Sequence, residues 1–354
     1  MHLFSPISIR SLTLRNRLWV SPMCQYSAID GVPNTWHLVH LGSFATGGAG
    51  LIFTEATAVT AQGRIAPQDT GIWNDEQRDA WAPIVDFVHQ QGGLIGMQLA
   101  HAGRKASTYR PWSPERGSVP PEQGGWPTVA PSAVAFGRYA TPAALTVDGI
   151  AEIVQAFRAA ARRALDAGFD LVELHGAHGY LLHQFLSPLS NQRDDQYGGS
   201  LQNRARLLLE VVRAVRDEVG EQVPVFVRLS GTDWAEGGWD VEQTSVVAGL
   251  AREAGADFFD ISTGGLVAGV DIPLGPGYQV PFAEQVRHAA SVPVSTVGLI
   301  TTAQQADEIV RSGRADAVMM ARAILRNPHL PLQASIDLGT PIDYWPDQYV
   351  RANI

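Results

Sequence analysis

The chain has 354 residues, of which 45% are hydrophobic and 17% charged, a composition typical of an ordinary soluble globular protein. Its 26 basic and 35 acidic residues leave a formal net charge of −9, which argues against nucleic acid or an anionic membrane as the main partner. Cys24 is the only cysteine, and no stretch resembles a signal peptide or a membrane span, so we expect a cytoplasmic protein without an intrachain disulfide.

Eight short apolar runs recur along the chain with helical segments between them. They are continuous apolar stretches, as expected for parallel strands that helices cover. In chain order the runs are 18–20, 51–54, 94–99, 171–174, 225–229, 258–261, 292–297 and 317–320. Segments 150–167, 201–219, 241–254 and 303–311 carry apolar residues three and four apart, which predicts helices. This alternation predicts a single (β/α)8 TIM barrel over residues 1–354, although an open doubly wound sheet shares the local pattern.

The segment 107–144 interrupts the alternation after the third predicted strand. It is rich in proline, glycine and tryptophan, and it is too long for an ordinary barrel loop. We interpret it as an insertion that either packs on the rim of the barrel or forms a lid over the active site.

Polar or small residues follow almost every predicted strand. Active sites of such barrels lie at the carboxyl ends of the strands, so these residues are expected to converge on one site. In chain order they are Ser21, Pro22, Met23, Cys24 and Tyr26, then Ala56, Gln98, His175, His178, Tyr180, Arg228, Ser262, Gly298, Ala321 and Arg322.

Gly298 and Arg322 follow the last two strands, where barrels often bind phosphate. A glycine lets backbone N–H groups approach an anion, and an arginine supplies a fork-shaped positive charge. Gly298 alone is more simply a turn glycine, but the pair at both positions favours a phosphate-bearing ligand.

His175, His178 and Tyr180 form the most informative cluster. Two donors beside a phenol suit a substrate oxygen that gains negative charge, together with a proton source. A metal site is disfavoured, because the early His-x-His pair of hydrolytic metal barrels is missing from the sequence. One of the histidines could instead be a hydrogen-bonded core residue.

Two single residues limit other mechanisms. Lys105 is the only lysine, so an aldolase that forms a Schiff base would have to use it. Cys24 has no obvious base beside it, and by itself it is more typical of a packing residue than of a nucleophile.

The motifs around these residues resemble those of the Old Yellow Enzyme family over nearly the entire chain. The motif after the fourth strand is highly specific, and Cys24 with Tyr26 resembles the thermophilic-like subgroup of NADPH dehydrogenases and xenobiotic reductases. The motifs are residues 21–26 (SPMCQY), 36–40 (WHLVH), 98–104 (QLAHAGR), 175–188 (HGAHGYLLHQFLSP), 195–200 (DQYGGS) with Asn203 and Arg204, and Ala321 with Arg322. Many relatives have glycine in place of Ala321.

The resemblance implies a noncovalent FMN, with NADPH or NADH as hydride donor. The matching positions imply contacts of Pro22, Met23 and Cys24 along the isoalloxazine, of Ala56 and Gln98 at its carbonyl and N3 edge, of Arg228 near N1, and of Gly298, Ala321 and Arg322 at the phosphate. Ser21 is also expected to bind the cofactor. Cys24 would then tune the potential of the flavin rather than attack a substrate.

The implied reaction has two halves. NAD(P)H reduces FMN, and an activated alkene (an enone, enal, maleimide or nitroalkene) then enters the same site. His175 and His178 would bind its oxygen, hydride would pass to the β-carbon, and Tyr180 would protonate the α-carbon. Tyr26 would also reach the substrate. A non-redox aldolase or hydrolase and a flavin-binding protein without turnover are the alternatives.

The C-terminal tail, about 340–354, resembles the Gln-Tyr-x-Arg tail of the subgroup. The resemblance implies that Arg351 reaches the site of a neighbouring subunit, in a homo-oligomer built from dimers. Relatives often continue with Gly-Trp, whereas Ala352, Asn353 and Ile354 follow here.

Overall fold

Eight parallel strands close into a barrel in the computed structural model, which describes residues 1–353. The strands are β1 (Ile7–Ile9), β2 (Leu12–Leu14), β3 (Leu18–Val20), β4 (Ile52–Phe53), β5 (Thr57–Ala58), β6 (Ile95–Ala100), β7 (Val129–Ala130), β8 (Ala143–Ala144), β9 (Leu171–Gly176), β10 (Val225–Ser230), β11 (Phe258–Ser262), β12 (Val294–Thr296) and β13 (Ala317–Met320). The barrel order is β4-β3-β13-β12-β11-β10-β9-β6, and the pairing of β4 with β6 closes the ring. The predicted TIM barrel is confirmed.

Helices follow or connect the barrel strands. They are α1 (Thr35–Thr46), α2 (Asp75–Gln90), α3 (Val147–Asp166), α4 (Leu181–Leu186), α5 (Leu201–Val219), α6 (Val241–Glu253), α7 (Val280–Ala290), α8 (Ala303–Arg311), α9 (Arg322–Arg326) and α10 (Leu330–Asp337).

The predicted boundaries differ from the observed ones where a local chemical signal acts. Helix α3 begins three residues early, at Val147, because the side chain of Thr146 accepts a hydrogen bond from Gly149 N and caps the first turn. Strand β12 begins only at Val294, because Pro293 has no N–H to donate to the ladder.

An aromatic layer fills the amino-terminal half of the barrel. Trp19, Phe53, Phe226 and Phe258 are at most 1% exposed, and the rings of Phe226 and Phe258 stack with centroids 4.7 Å apart. Burying each such side chain contributes about 1.5–3 kcal/mol of stability. Since inward positions alternate along a strand, Arg228 lies one layer above Phe226, toward the carboxyl end.

The segment 107–144 packs against the carboxyl-terminal side of the barrel. Within it, β7 precedes a loop that returns to pair with β8 in parallel. Trp126 Nε1 donates to Gln62 O at 2.9 Å, and Arg104 donates to Val134 O at 3.2 Å. Its role as a lid stays a prediction.

The C-terminal tail docks through two tyrosines. Tyr344 accepts a hydrogen bond from Asn16 Nδ2 at 2.9 Å and lies under the Arg15 guanidinium. Tyr349 packs on His329, with the ring centroids 5.2 Å apart. Among residues 1–353, no helix has both the length and the apolar character to cross a membrane.

Candidate active site

A cavity of about 360 Å³ opens at the carboxyl ends of the barrel strands, within the size range of small-molecule sites. Thirteen predicted residues line it together: Ser21, Pro22, Cys24, Ala56, Gln98, His175, His178, Tyr180, Arg228, Ser262, Gly298, Ala321 and Arg322. Strand ends that are far apart in sequence meet here because the strands are parallel and the barrel is closed.

Three predicted site residues lie outside the wall of this cavity. Met23 packs against the main hydrophobic core. Tyr26 packs beside Cys24 and Tyr180, and its ring meets the edge of Trp112 from the segment 107–144, with centroids 5.6 Å apart. Arg351 is exposed, in a short 3-10 turn (Asp347–Ala352), and does not reach the cavity of its own chain.

A buried polar layer forms the floor of the cavity. Arg228 Nε lies 2.7 Å from Asp260 Oδ2, and Arg228 also donates to Ser21 Oγ at 3.3 Å. Gln98 Nε2 donates to Glu173 Oε1 at 2.7 Å. The layer therefore presents a guanidinium and a carboxamide to any ligand in the cavity.

The rings of His175, His178 and Tyr180 meet at one wall. The centroid of His175 is 5.2 Å from that of His178 and 5.0 Å from that of Tyr180. A tight turn brings them together: Gly179 has φ +71°, and a Cβ there would meet Gly265 O at 2.3 Å. A side chain at this position would push the turn apart.

Desolvation sets the protonation states at this wall. It lowers the pKa of His175 and of His178 well below their usual range, and the charge of Arg228 acts in the same direction. Desolvation also raises the pKa of Tyr180 well above its usual range. At neutral pH both imidazoles are therefore uncharged and the phenol keeps its proton.

Lys105 stands behind this wall with its ammonium nitrogen enclosed. Nζ donates to His178 O and to Gly265 O, each at 2.8 Å, and it lies 5.0 Å from the ring centroid of Tyr180. Desolvation, reinforced by the charge of Arg104, lowers the pKa of Lys105 to about 7. The only lysine thus supports the loops around Tyr180.

The opposite end of the cavity is suited to an anion. Gly298 has φ +121°, and a Cβ there would meet Gln279 Nε2 at 2.7 Å, so a side chain would fill this end. Arg322 and Arg326 both line it. Two guanidiniums beside an open backbone fit a phosphate, and Arg228 with Gln98 fits the polar edge of a flavin.

Sequence reasoning missed several residues of the wall. Arg326 follows Arg322 by one helical turn, a spacing that places both on one face, so the sequence did contain its signal. Gln279 had no comparable signal, whereas Ser262 was expected here because it follows the sixth predicted strand. Their Oγ and Oε1 atoms lie 3.1 Å apart, and Ser262 Oγ is 2.8 Å from His178 Nε2.

No group of three or more His, Cys, Asp or Glu side chains that could hold a metal ion occurs within the described part of the chain.

Known proteins are similar to this chain in sequence and in fold. Residues 2–340 match the model of the NADH:flavin oxidoreductase / NADH oxidase family. An NADPH dehydrogenase of Halalkalibacterium halodurans is 45% identical over 352 residues, covering 99% of this chain and 98% of its own. The structure of morphinone reductase superposes with a TM-score of 0.80 at 34% identity, over 97% of this chain and 91% of that one. The structure of an Old Yellow Enzyme homologue from Zymomonas mobilis superposes with a TM-score of 0.79 at 30% identity, over 100% of this chain and 98% of that one.

Fold and similarity together define a flavin-dependent NAD(P)H oxidoreductase built on a (β/α)8 barrel. The chain belongs to the NADH:flavin oxidoreductase family, the family of Old Yellow Enzyme. Its cofactor is FMN and its hydride donor is NAD(P)H. The predicted family, fold and cofactor are confirmed, and this decides against a non-redox aldolase or hydrolase.

Proposed function

We propose that this oxidoreductase is an ene-reductase that reduces activated alkenes such as enones, enals, maleimides and nitroalkenes. One observation carries the proposal: two uncharged imidazoles and a protonated phenol line the same cavity as Gln98 and Arg228. Such a wall can bind a polarised oxygen and supply a proton beside a flavin.

The proposed binding site of the cofactor runs across the cavity, from its floor to the end that is suited to an anion. Gln98 and Arg228 hold the polar edge of the ring system, and Pro22, Cys24 and Ala56 lie along it. Met23 packs against the hydrophobic core instead and is left out of this binding site. Gly298, Ala321 and Arg322 hold the phosphate, and we add Arg326 to them because it lines the same end.

His175 and His178 hold the substrate oxygen in this proposal. FMN supplies the hydride that the β-carbon of the alkene accepts. Negative charge then develops on the substrate oxygen, and each neutral imidazole stabilises it through one N–H. For His178 this requires the proton on Nδ1, because Nε2 lies 2.8 Å from Ser262 Oγ. In that tautomer the Ser262 hydroxyl donates to His178 Nε2 instead of to Gln279 Oε1.

Tyr180 supplies the proton to the α-carbon. Its pKa is raised by desolvation, so the hydroxyl carries its proton over the entire physiological pH range. The phenol ring is fixed by His175 on one side and by Lys105 on the other, which keeps the donor in place.

The substrate end of the site extends beyond the cavity wall. Tyr26, which packs beside Cys24 and Tyr180, would contact the substrate. We propose that Arg351 completes the site of a neighbouring subunit in a homo-oligomer, because its side chain is exposed and does not line the cavity of its own chain.

The test separates an ene-reductase from a flavin protein without alkene turnover. Anaerobic NADPH should bleach the yellow absorbance of bound FMN, and cyclohexenone should restore it with stoichiometric formation of cyclohexanone. Cyclohexanone itself, the matched saturated ketone, should restore nothing. If only oxygen restores the colour, alkene reduction is not the function.

A further inference from the structure

Glu173 is a buried acid directly below the proposed binding site of the cofactor. It lies in β9, two residues before His175, and is 0% exposed. Its Oε1 accepts the hydrogen bond from Gln98 Nε2 at 2.7 Å. Its Oε2 is enclosed and has no hydrogen-bond partner among residues 1–353.

A second buried acid already neutralises the nearest guanidinium. Arg228 pairs with Asp260 at 2.7 Å, and the other oxygen of Asp260 accepts from Ser295 Oγ at 3.1 Å. Glu173 is therefore an additional carboxyl group beside one positive charge. A buried polar group that folding alone does not require usually serves a site.

We propose that Glu173 is a positioning residue for FMN. Its carboxyl group orients the Gln98 amide toward the cofactor, and its ionisation adds a negative charge near Arg228. This inference rests on the proposed binding site of FMN at Gln98 and Arg228.

The orientation follows from the hydrogen bond. With Nε2 of Gln98 turned to Glu173, the carbonyl oxygen and the second N–H of the amide remain for a ligand in the cavity. A flipped amide would place two acceptor oxygens against each other whenever Glu173 is ionised. The polar edge of a flavin, an N–H between two carbonyls, complements a carbonyl oxygen beside an N–H.

The charge of Glu173 depends on pH in an accessible range. Desolvation and the charge of Asp260 on β11 raise the pKa of Glu173 to about 8, while the charge of Arg228 on β10 and the hydrogen bond from Gln98 oppose the rise. Gln98 on β6 carries no charge, and His175 on the same strand stays neutral. Below pH 8 Glu173 is mainly protonated. Above pH 8 it is ionised and disfavours the negative charge that FMN gains on reduction.

The first experiment measures FMN release at about pH 9, where Glu173 is ionised. The holoprotein is serially diluted, and the fluorescence of free FMN reports the release. Glu173→Met cannot accept the Gln98 hydrogen bond and should raise the dissociation constant about tenfold, the effect of one buried hydrogen bond of about 1.4 kcal/mol. Glu173→Gln keeps an acceptor oxygen and should stay within about twofold of the wild type. Adding Glu173→Met to Gln98→Met should weaken binding no further.

The second experiment measures the midpoint potential of bound FMN from pH 6 to 9.5. The potentials of the wild type and Glu173→Gln should coincide near pH 6. Above pH 8 the variant should prefer reduced FMN about tenfold more than the wild type, a shift of about 30 mV for two electrons. This readout remains available if Glu173→Met does not fold.

The outcomes separate this inference from the proposed binding site of the cofactor. Unchanged FMN release in Gln98→Met would remove the binding site itself. Weakened binding in Gln98→Met, with wild-type release in Glu173→Met, would overturn the orienting role alone. Potential curves of the wild type and Glu173→Gln that stay superimposed above pH 8 would overturn the charge role.

Discussion

Tyr180 is the residue whose single oxygen is most directly tied to the proposed chemistry. Replacing it with phenylalanine keeps the ring against His175 and Lys105 and removes only the hydroxyl. We expect Tyr180→Phe to leave FMN reduction by NADPH intact and to slow reoxidation by cyclohexenone by about 10²–10⁴-fold, the usual contribution of a general acid. Stopped-flow absorbance measures both half-reactions, and equal slowing of the two would refute the role.

A nitroalkene serves as the matched substrate for that variant. Its product can be protonated later by solvent, so reoxidation of Tyr180→Phe by a nitroalkene should be less affected than reoxidation by an enone. Equal loss with both substrates would indicate that the hydroxyl acts on binding instead of on proton transfer.

We propose that Cys24 tunes the potential of the flavin and does not attack the substrate. Desolvation and the nearby acids Asp69 and Glu55 raise the pKa of its thiol well above the usual range, so the thiol is neutral at pH 7. We expect Cys24→Ala to retain FMN, shift its potential and alter both half-reaction rates without abolishing turnover. Complete inactivation with FMN still bound would point to covalent chemistry.

Lys105 makes stability depend on pH. Its folded pKa is about 7, below the 10.5 that is usual for a lysine, so between these values the unfolded chain binds more protons than the folded chain. Stability therefore contains a contribution that rises with pH from about 7 to about 10. Urea titrations of the holoproteins give the unfolding free energies of the wild type and Lys105→Met. The value for the wild type minus the value for Lys105→Met should increase as the pH rises over this window. Parallel profiles would contradict the assignment.

The loops after β12 and β13 together form the proposed anion-binding end of the cavity. Gly298 opens space on one loop, and Arg322 with Arg326 supplies charge from the other, which begins α9. Neither loop alone offers both features. Their function depends on β12 and β13 being neighbours in the barrel.

Arg322→Ala should weaken FMN binding about tenfold to a hundredfold, because a charge-assisted contact worth about 1.5–3 kcal/mol is removed. Gel filtration followed by flavin absorbance measures the retained cofactor. Arg158→Ala is the matched control, since Arg158 pairs with Glu218 on the outer helices. Full retention of FMN by Arg322→Ala would remove the phosphate assignment.

The C-terminal tail lies on the barrel and leaves one basic side chain exposed. Tyr344 and Tyr349 hold it on the barrel, while Arg351 remains exposed. A chain ending at Tyr349 should keep FMN, because the proposed cofactor contacts lie in the barrel. Its apparent KM for enones or NADPH should rise, and its dimers should weaken in analytical ultracentrifugation. Arg351→Ala isolates the charge from the rest of the tail. Unchanged kinetics and oligomeric state in the truncated chain would remove the case for an arginine in trans.

The local pattern of the sequence also fits an open doubly wound sheet, so the closed barrel was distinguished only through the resemblance to the family. The sequence by itself determined the eight strands and the polar or small residues at their ends. These features are local: strands and helices follow from the period of apolar residues, and parallel strands bring their carboxyl ends to one face. Thirteen of the predicted residues accordingly line one cavity.

Only the tertiary structure decided which side chains pair and which are enclosed. The contact of Gln98 with Glu173 joins β6 to β9 across 75 positions of sequence, and the pairing of Arg228 with Asp260 depends on the register of β10 and β11. Glu173 is an ordinary acid in a strand until the closed barrel removes water from it. Burial and cross-strand register are properties of the assembled barrel, and they alone convert Glu173 from a surface-type residue into a carboxyl group with a pKa of about 8.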